Sequence, residues 1–306
     1  MKRIVALVIC VLCVTSLMSC GKAVSVDETV NSVESMAELE NVVSVNTVEH
    51  TNEGYSDVLC YDVVFKSNGL NSESYFVLPD DYAEKKYPVI LWFPDAKITD
   101  YRFVEIVRKG FIVVPVFSRG YSGSQSEGMS DFGGEQDLAD VRTIIDLIVQ
   151  CRFTDNDSIF AVSNMQKSIS VFRYLAAGSS GRVKAAAFVM PITDMNEYYE
   201  EMPQEMQEYL SKTALGFTPE ESQEEYNKRS AVTFADKIDT PLLLADFDFS
   251  DKDAPYIPDV SQITSLKAKL DEYGKEYKEL HYGFAGSDFY FPDTENDLVE
   301  WIKSFD

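Results

Sequence analysis

Residues 163–167 stand where an apolar strand is predicted to turn into a helix, and this turn could carry a nucleophile. They read Ser163, Asn164, Met165, Gln166, Lys167. A nucleophile elbow has the pattern G-x-S-x-G, because a strained turn exposes the serine oxygen and the flanking glycines avoid a clash. In one register Met165 takes the serine position, and a base cannot activate a thioether to attack a carbonyl. In the other register Ser163 is the nucleophile and Met165 falls on a glycine position.

Strand-like and helix-like segments alternate around this turn. Apolar runs predict strands at 57–66, 72–78, 89–93, 111–116, 158–162, 183–190, 241–245 and 277–284. Helical periodicity predicts helices at 101–109, 134–148, 168–177, 261–273 and 297–305, with an acidic helical insert at 196–228. The fold class is therefore α/β, with a mostly parallel central sheet covered by helices on both faces.

Four segments resemble the catalytic domain of the prolyl oligopeptidase family of serine peptidases. Residues 119–124 (R-G-Y-S-G-S) are similar to the family's R-G-x-G-G-S loop, and 155–159 stand where the family has D-P-x-R-I. Residues 132–140 and 230–244 are similar to the stretches before the elbow helix and before the strand that carries the catalytic acid. The resemblance covers about residues 57–306 and implies an α/β-hydrolase fold. Aligned on Asp155 and Ile159, it places Met165 at the nucleophile position.

The same alignment finds the other catalytic positions altered. Where the family has an H-G-G oxyanion loop, this chain has Phe93-Pro94-Asp95, and Pro94 has no N–H to donate. The turn that holds the family's histidine reads Gly286-Ser287-Asp288-Phe289, which puts Ser287, or Asp288 after a one-residue slip, in its place. For the acid, the simplest count gives Ser250, with Asp248 and Asp251 as alternatives.

Histidine content gives an independent check on the base. The chain has two histidines, His50 before the domain and His281 inside the last predicted strand. Strand residues rise by about 3.3 Å each, so a residue several positions before the final loop lies short of the elbow. We therefore predict that His281 has an ordinary hydrogen-bond partner rather than a catalytic role.

Two other groups of residues invite a functional interpretation. Four carboxylates at positions 246, 248, 251 and 253 follow a strand where an α/β sheet presents its ligand crevice, and such a group can hold Ca²⁺. The loop lacks the glycine and terminal glutamate of an EF-hand, so a solvated acidic loop is favoured and no metal or cofactor is predicted. In the family the insert can shape a substrate entrance. Here we favour an acidic surface whose aromatic residues, Tyr198, Tyr199 and Tyr209, pack inward.

The first residues have the pattern of an export signal. Lys2 and Arg3 precede an apolar run, and residues 17–21 (Leu-Met-Ser-Cys-Gly) resemble the bacterial lipobox. The resemblance implies a lipoprotein signal peptide at 1–19, cleavage before Cys20 and a diacylglycerol on the Cys20 sulfur. An ordinary secretory peptide is the alternative. Residues 20–54 are predicted to be an acidic flexible tether and 55–306 a single domain. This places the protein in the bacterial cell envelope, lipid-anchored on an extracytoplasmic membrane face.

Charge and cysteine content restrict the partners. The formal net charge is −24, which argues against nucleic acid and against anionic lipid surfaces, so the lipid anchor is the expected membrane contact. Of five cysteines, Cys60 and Cys151 belong to the predicted domain, where they form either a disulfide or two buried thiols. A catalytically inactive protein that binds a small-molecule, peptide or protein ligand is expected. A working hydrolase with Ser163 as nucleophile is the alternative.

Overall fold

The computed structural model describes residues 29–49, 55–94, 103–121, 123–178, 180–247, 257–283 and 292–305. Within these ranges nine strands form one sheet: β1 (Val42–Thr47), β2 (Val58–Ser67), β3 (Leu70–Pro79), β4 (Tyr87–Phe93), β5 (Ile112–Pro115), β6 (Thr154–Asn164), β7 (Ala185–Val189), β8 (Leu242–Phe247) and β9 (Tyr277–Tyr282). Their order across the sheet is β1-β2-β3-β5-β4-β6-β7-β8-β9. All eight strands that the sequence predicts are present.

Strand direction alternates in the first part of the sheet and is uniform in the rest. β1, β2 and β3 are antiparallel, and β3 meets β5 in an antiparallel contact. A tight turn joins β2 to β3 because Asn68 and Gly69 both adopt positive φ angles, of 47° and 84°. From β5 to β9 every neighbouring pair is parallel. The carboxyl ends of six strands therefore meet at one edge, where α/β proteins place their ligand sites.

Helices cover both faces of the sheet. They are α1 (Val104–Arg108), α2 (Glu135–Ile148), α3 (Ser168–Ala176), α4 (Met195–Glu201), α5 (Gln204–Tyr209), α6 (Gln223–Lys228), α7 (Val260–Glu272) and α8 (Pro292–Lys303). Apolar side chains of α2, α3 and α7 pack on one face, and those of α1 and α8 pack on the other. This matches the predicted two-sided architecture. None of the described helices is long and apolar enough to cross a bilayer.

The acidic insert contains α4, α5 and α6 and has its own small apolar cluster. Tyr198 and Tyr226 are buried there, packed with Met195 and with Ile169 of α3. Tyr209, which the sequence analysis expected to point inward, is 44% exposed because α5 buries none of its residues. The insert therefore rests on the start of α3 through α4 and α6, and α5 lies at the surface.

Residues 29–49, which the sequence analysis assigned to a flexible tether, are part of the folded domain. β1 is the edge strand of the sheet, and a 3₁₀ helix at Glu34–Glu38 precedes it. Val33 and Met36 are fully buried, and the Glu34 carboxylate accepts hydrogen bonds from the Tyr61 and Tyr82 hydroxyls. The expectation was wrong here because three buried apolar side chains, Val30, Val33 and Met36, and the Glu34 carboxylate attach a segment of otherwise polar composition to the domain.

The two cysteines of the domain are free, buried thiols. Cys60 packs among side chains on the α1 and α8 face of the sheet, and Cys151 packs on the α2 and α3 face. The sheet therefore separates the two sulfur atoms and excludes the disulfide alternative. Burial raises the pKa of the Cys151 thiol, so it stays protonated and inert.

Candidate functional site

A sharp strand-to-helix turn lies at the carboxyl end of β6, in the middle of the parallel strands. β6 ends at Asn164, Met165–Lys167 form one 3₁₀ turn, and α3 begins at Ser168. Met165 has a φ of +44° and is half-buried. A positive φ costs a non-glycine residue about 1 to 2 kcal/mol. A nucleophile elbow holds its reactive residue in this kind of strained turn, and here Met165 occupies the strained position.

Ser163 lies inside β6 rather than on the turn. It is fully buried and lies opposite Phe93 of β4 and Phe188 of β7. Because side chains alternate along a strand, Ser163 shares the face of Ala161, which packs under α2 and α3. Within the described residues its Oγ has no hydrogen-bond partner, so neither an imidazole nor a carboxylate of that part of the chain is placed to activate it.

Hydrogen bonds between the Ser168 hydroxyl and backbone groups hold the turn in place. The Ser168 hydroxyl donates a hydrogen bond to the Met165 carbonyl at 2.5 Å and accepts one from the Ile192 N–H at 3.0 Å. These bonds connect the elbow to the segment that follows β7. Because the carbonyl of the strained residue is fixed in this way, the positive φ of Met165 is a stable feature of the fold.

A buried ion pair occupies the base of the elbow. Lys167, at the position of the second elbow glycine, lies 3.1 Å from Asp137 of α2, and both side chains are at most 5% exposed. The other Asp137 oxygen accepts hydrogen bonds from Ser130 Oγ at 2.6 Å and from the Gly133 N–H at 3.0 Å. Burial raises the pKa of the Asp137 carboxyl, but the Lys167 charge and these hydrogen bonds outweigh it and hold the pKa below its ordinary value.

Gln166 extends this network to the surface of the elbow. Its side-chain amide donates a hydrogen bond to Ser130 Oγ at 2.5 Å, which in turn donates to Asp137. Gln166, Ser130, Asp137 and Lys167 therefore form one connected chain of polar groups. Sequence reasoning identified Lys167 only as a missing glycine. The signal that was not used is Asp137 itself, an aspartate directly before the buried Leu138 in α2.

The first residue after β4, where the oxyanion loop was predicted, cannot donate a backbone hydrogen bond. β4 ends at Phe93, and Pro94 follows with no N–H. The Pro94 carbonyl accepts a hydrogen bond from Ser118 Oγ at 3.2 Å, so this peptide unit turns an acceptor toward its neighbour. Asp95 lies outside the described residues.

His281 has the partner that the sequence analysis expected, although for a different geometric reason. It pairs across the sheet with Asp246 of β8, and its Nδ1 lies 2.6 Å from the Asp246 carboxylate. The strand registers place His281 level with the residue after Asn164, so it is not short of the elbow along the strand. Three strand spacings of about 4.8 Å separate β9 from β6, so it lies about 14 Å to the side.

The remaining residues singled out from the sequence lie outside the described ranges. They are Cys20, His50, Asp248, Ser250, Asp251, Asp253, Ser287 and Asp288. Among the residues that the structure does describe, no three His, Cys, Asp or Glu side chains come together in an arrangement that could hold a metal ion.

Comparisons with known proteins agree with this architecture. No family model matches the chain. It is 27% identical over 266 residues to an uncharacterized peptidase of Bacillus subtilis, YtmA, covering 81% of this chain and 94% of the relative. The acetyl xylan esterase from Paenibacillus sp. R4 superposes with a TM-score of 0.66 at 16% identity, covering 89% of this chain and 92% of the esterase.

The larger peptidases share the fold over part of their length. Dipeptidyl peptidase 4 of Porphyromonas gingivalis superposes with a TM-score of 0.64 at 17% identity, covering 81% of this chain and 35% of that peptidase. Together with the sheet order, these similarities show that the chain has an α/β-hydrolase fold, the fold of the peptidases and esterases to which it is similar.

Asparagine at position 165 should be tolerated unusually well. Asparagine adopts positive φ more readily than methionine, so relief of strain offsets the lost packing, and we expect Met165→Asn to change the free energy of unfolding by no more than about 0.5 kcal/mol. Met206 is also half-buried but lies in α5 with a helical backbone, where the same substitution should cost about 1 kcal/mol. Urea unfolding measures both. Equal losses in the two variants would contradict the strained position of Met165.

Proposed function

We propose that this chain is a lipid-anchored protein of the bacterial cell envelope whose hydrolase-like domain lacks hydrolytic chemistry and acts as a binding or accessory protein. The observation that carries the proposal is Met165 at the strained position of the elbow. Acyl transfer begins with attack by an activated oxygen or thiol, and a thioether has no proton for a base to remove. A methionine at this position therefore removes the first step of the reaction.

Three further observations support the loss of chemistry. Ser163 is buried beneath α2 and α3, Pro94 has no N–H for an oxyanion, and His281 lies about 14 Å to the side of the elbow. Each concerns a different catalytic part: nucleophile, oxyanion donor and base. These residues lie on or directly after three different strands, so no single substitution accounts for the three losses. We therefore propose a binding role for an unidentified small-molecule, peptide or protein ligand, and no role with nucleic acid because the net charge is −24.

A hydrolysis assay tests the proposal against a working peptidase or esterase, the activities that the names of the similar proteins suggest. The purified protein is incubated with p-nitrophenyl acetate and with proline-containing peptide p-nitroanilides, beside a Ser163→Ala variant. We expect both proteins to release product at the rate of buffer, because neither presents an activated nucleophile. Turnover by the parent protein that disappears in Ser163→Ala would refute the proposal and establish the alternative nucleophile.

The anchor has its own test, since a chain can be inactive and still be secreted freely. In bacterial cells that are fed radioactive palmitate, the full-length protein should become labelled and sediment with membranes. Cys20→Ala removes the acylated sulfur, so that variant should lose the label and leave the membrane fraction. Label and sedimentation that persist in Cys20→Ala would contradict lipid attachment at this residue.

A further inference from the structure

An open cleft of about 250 Å³ lies between α2 and α3, on the side of these helices that faces away from the sheet. α2, α3 and α6 form its walls together with the 3₁₀ helix Ala235–Lys237. Apolar contributions come from Leu138, Ala176 and Phe234. From α3 the cleft takes Arg173 and Ala176, which lie in the second half of that helix, whereas the elbow directly precedes its first residue, Ser168.

The residues that line the cleft are mostly basic, whereas the chain as a whole is acidic. The whole chain carries 27 basic and 51 acidic residues. Among the residues that line the cleft, four are cations and one is an anion: Arg142, Arg173, Lys228, Lys237 and Glu135. Four different elements bring the four cations together, although the mutual repulsion of their charges is unfavourable. A local excess of positive charge on an acidic protein indicates a site for an anion.

Two of these cations have no partner in the described part of the chain. Both residues are exposed, and the side chains of Arg142 and Lys237 form neither a hydrogen bond nor an ion pair with the described residues. The Arg173 guanidinium is held in place, because it donates to the Gly133 carbonyl and to Glu135 and is 13% exposed. The cleft therefore combines one fixed guanidinium with two cations that are available to an incoming ligand.

Glu135 shows which chemistry the cleft accepts. Its carboxylate lies 2.6 Å from Arg173, while the side chain is 73% exposed. The Arg173 hydrogen bond holds the pKa of Glu135 below its ordinary value against the opposing effect of burial, and the charges of Arg142 and Arg229 add to this. A carboxylate of the protein itself thus already pairs with Arg173 at one rim of the cleft. Lys228 is paired with Glu224 and Glu225, which leaves Arg142 and Lys237 for a ligand.

We propose that this cleft binds a phosphomonoester, with the phosphate between Arg142, Arg173 and Lys237 and a small attached group against Phe234. Guanidinium forks match phosphate oxygens in pairs, and a phosphomonoester carries about two negative charges, which suits several cations better than one carboxylate does. The volume is below the range of about 300 to 1,000 Å³ that holds drug-sized ligands, so the attached group is small. This site is independent of the proposed loss of catalysis.

Titration calorimetry with inorganic phosphate at about 0.1 M ionic strength tests the proposal. We expect saturable binding to the parent protein and at least tenfold weaker binding to the double variant Arg142→Gln/Lys237→Gln. The control Lys66→Gln/Lys278→Gln removes the same charge from two exposed strand residues outside the cleft and should bind like the parent. Glu135→Gln removes the competing carboxylate and should bind phosphate several-fold more tightly. Acetate should give no saturable heat.

Several results would overturn the proposal. They are the absence of saturable phosphate binding, equal binding by Arg142→Gln/Lys237→Gln and the parent, and equal binding of acetate and phosphate. Vesicles containing phosphatidic acid, compared with phosphatidylcholine vesicles, identify the source of the phosphate. Binding to phosphatidic acid vesicles that requires Arg142 and Lys237 places a lipid headgroup in the cleft. Binding to free phosphate alone indicates a soluble ligand. A preference for phosphatidic acid over phosphatidylcholine vesicles that persists in the double variant counts against the site.

Discussion

Lys167→Met should lower the free energy of unfolding by about 3 to 5 kcal/mol, because it leaves the Asp137 carboxylate buried without its counter-charge. Asp137 is 1% exposed, so water cannot replace the lost ammonium group. Urea unfolding followed by circular dichroism measures the loss. The matched control is Lys212→Met, since Lys212 pairs with Glu208 at 2.9 Å with both side chains more than half exposed. That change should cost less than about 0.5 kcal/mol.

A double-mutant cycle measures the interaction energy between Lys167 and Asp137 apart from the other contacts of each residue. Lys167→Met combined with Asp137→Asn removes both charges while the asparagine oxygen still accepts from the Gly133 N–H. We expect the double variant to be more stable than the sum of the single losses predicts, by about 2 kcal/mol or more. Additive losses, or a Lys167→Met variant within about 1 kcal/mol of the parent, would show that the ion pair does not hold the elbow.

Acid should weaken the same interaction. The folded-state pKa of Asp137 lies below that of an unfolded aspartate, so its contribution is fully present above about pH 4 and is lost as the pH falls through the folded value. The stability difference between the parent and Asp137→Asn should therefore be constant from about pH 7 to pH 5 and shrink below about pH 4. A difference that stays constant to pH 3 would contradict the lowered pKa.

Arg119→Met should cost a similar amount, about 3 to 5 kcal/mol, at a second buried ion pair. Arg119 makes two bonds to the Asp140 carboxylate, of 2.8 and 2.6 Å, and also donates to the carbonyls of Asn71 and Glu127. Its side chain is 0% exposed. Arg119→Lys should recover less than half of the loss, because an ammonium group cannot form a planar fork and still reach both carbonyls.

Arg108 provides the control for this prediction. It makes the same two-bond contact with Asp57, at 2.9 Å for each bond, but its side chain is 35% exposed and that of Asp57 is 50% exposed. Arg108→Met should therefore cost about 1 kcal/mol or less, since water solvates the remaining carboxylate. If the two variants lose equal stability, burial does not determine the strength of these pairs.

Local patterns in the sequence were sufficient for most of the fold. Continuous apolar runs such as residues 89–93 are typical of buried parallel strands, and the structure places β4 (Tyr87–Phe93) there. β1 was missed because Val42–Thr47 is a half-exposed edge strand without aromatic residues, so its composition is that of a linker. Its position depends on pairing with β2, which is a tertiary contact that no local pattern encodes.

The site was harder to predict than the fold, because its contacts join distant parts of the chain. Lys167 and Asp137 are 30 positions apart, and nothing in either segment predicts that they meet. The sequence places His281 by its distance along a strand, whereas its separation from the elbow is across the sheet. The four cations of the proposed phosphate cleft come from four elements that are separate in the sequence, so no local basic pattern reveals them.

Labelling with a fluorophosphonate probe tests the central claim most directly, because the probe reacts only with an activated serine. The purified parent protein is incubated with the probe beside a serine hydrolase as positive control, and peptide mass spectrometry searches every serine for the adduct. We expect no adduct on the parent protein, either on Ser163 or on any other serine. A stoichiometric adduct on Ser163 that heat denaturation abolishes would contradict this claim.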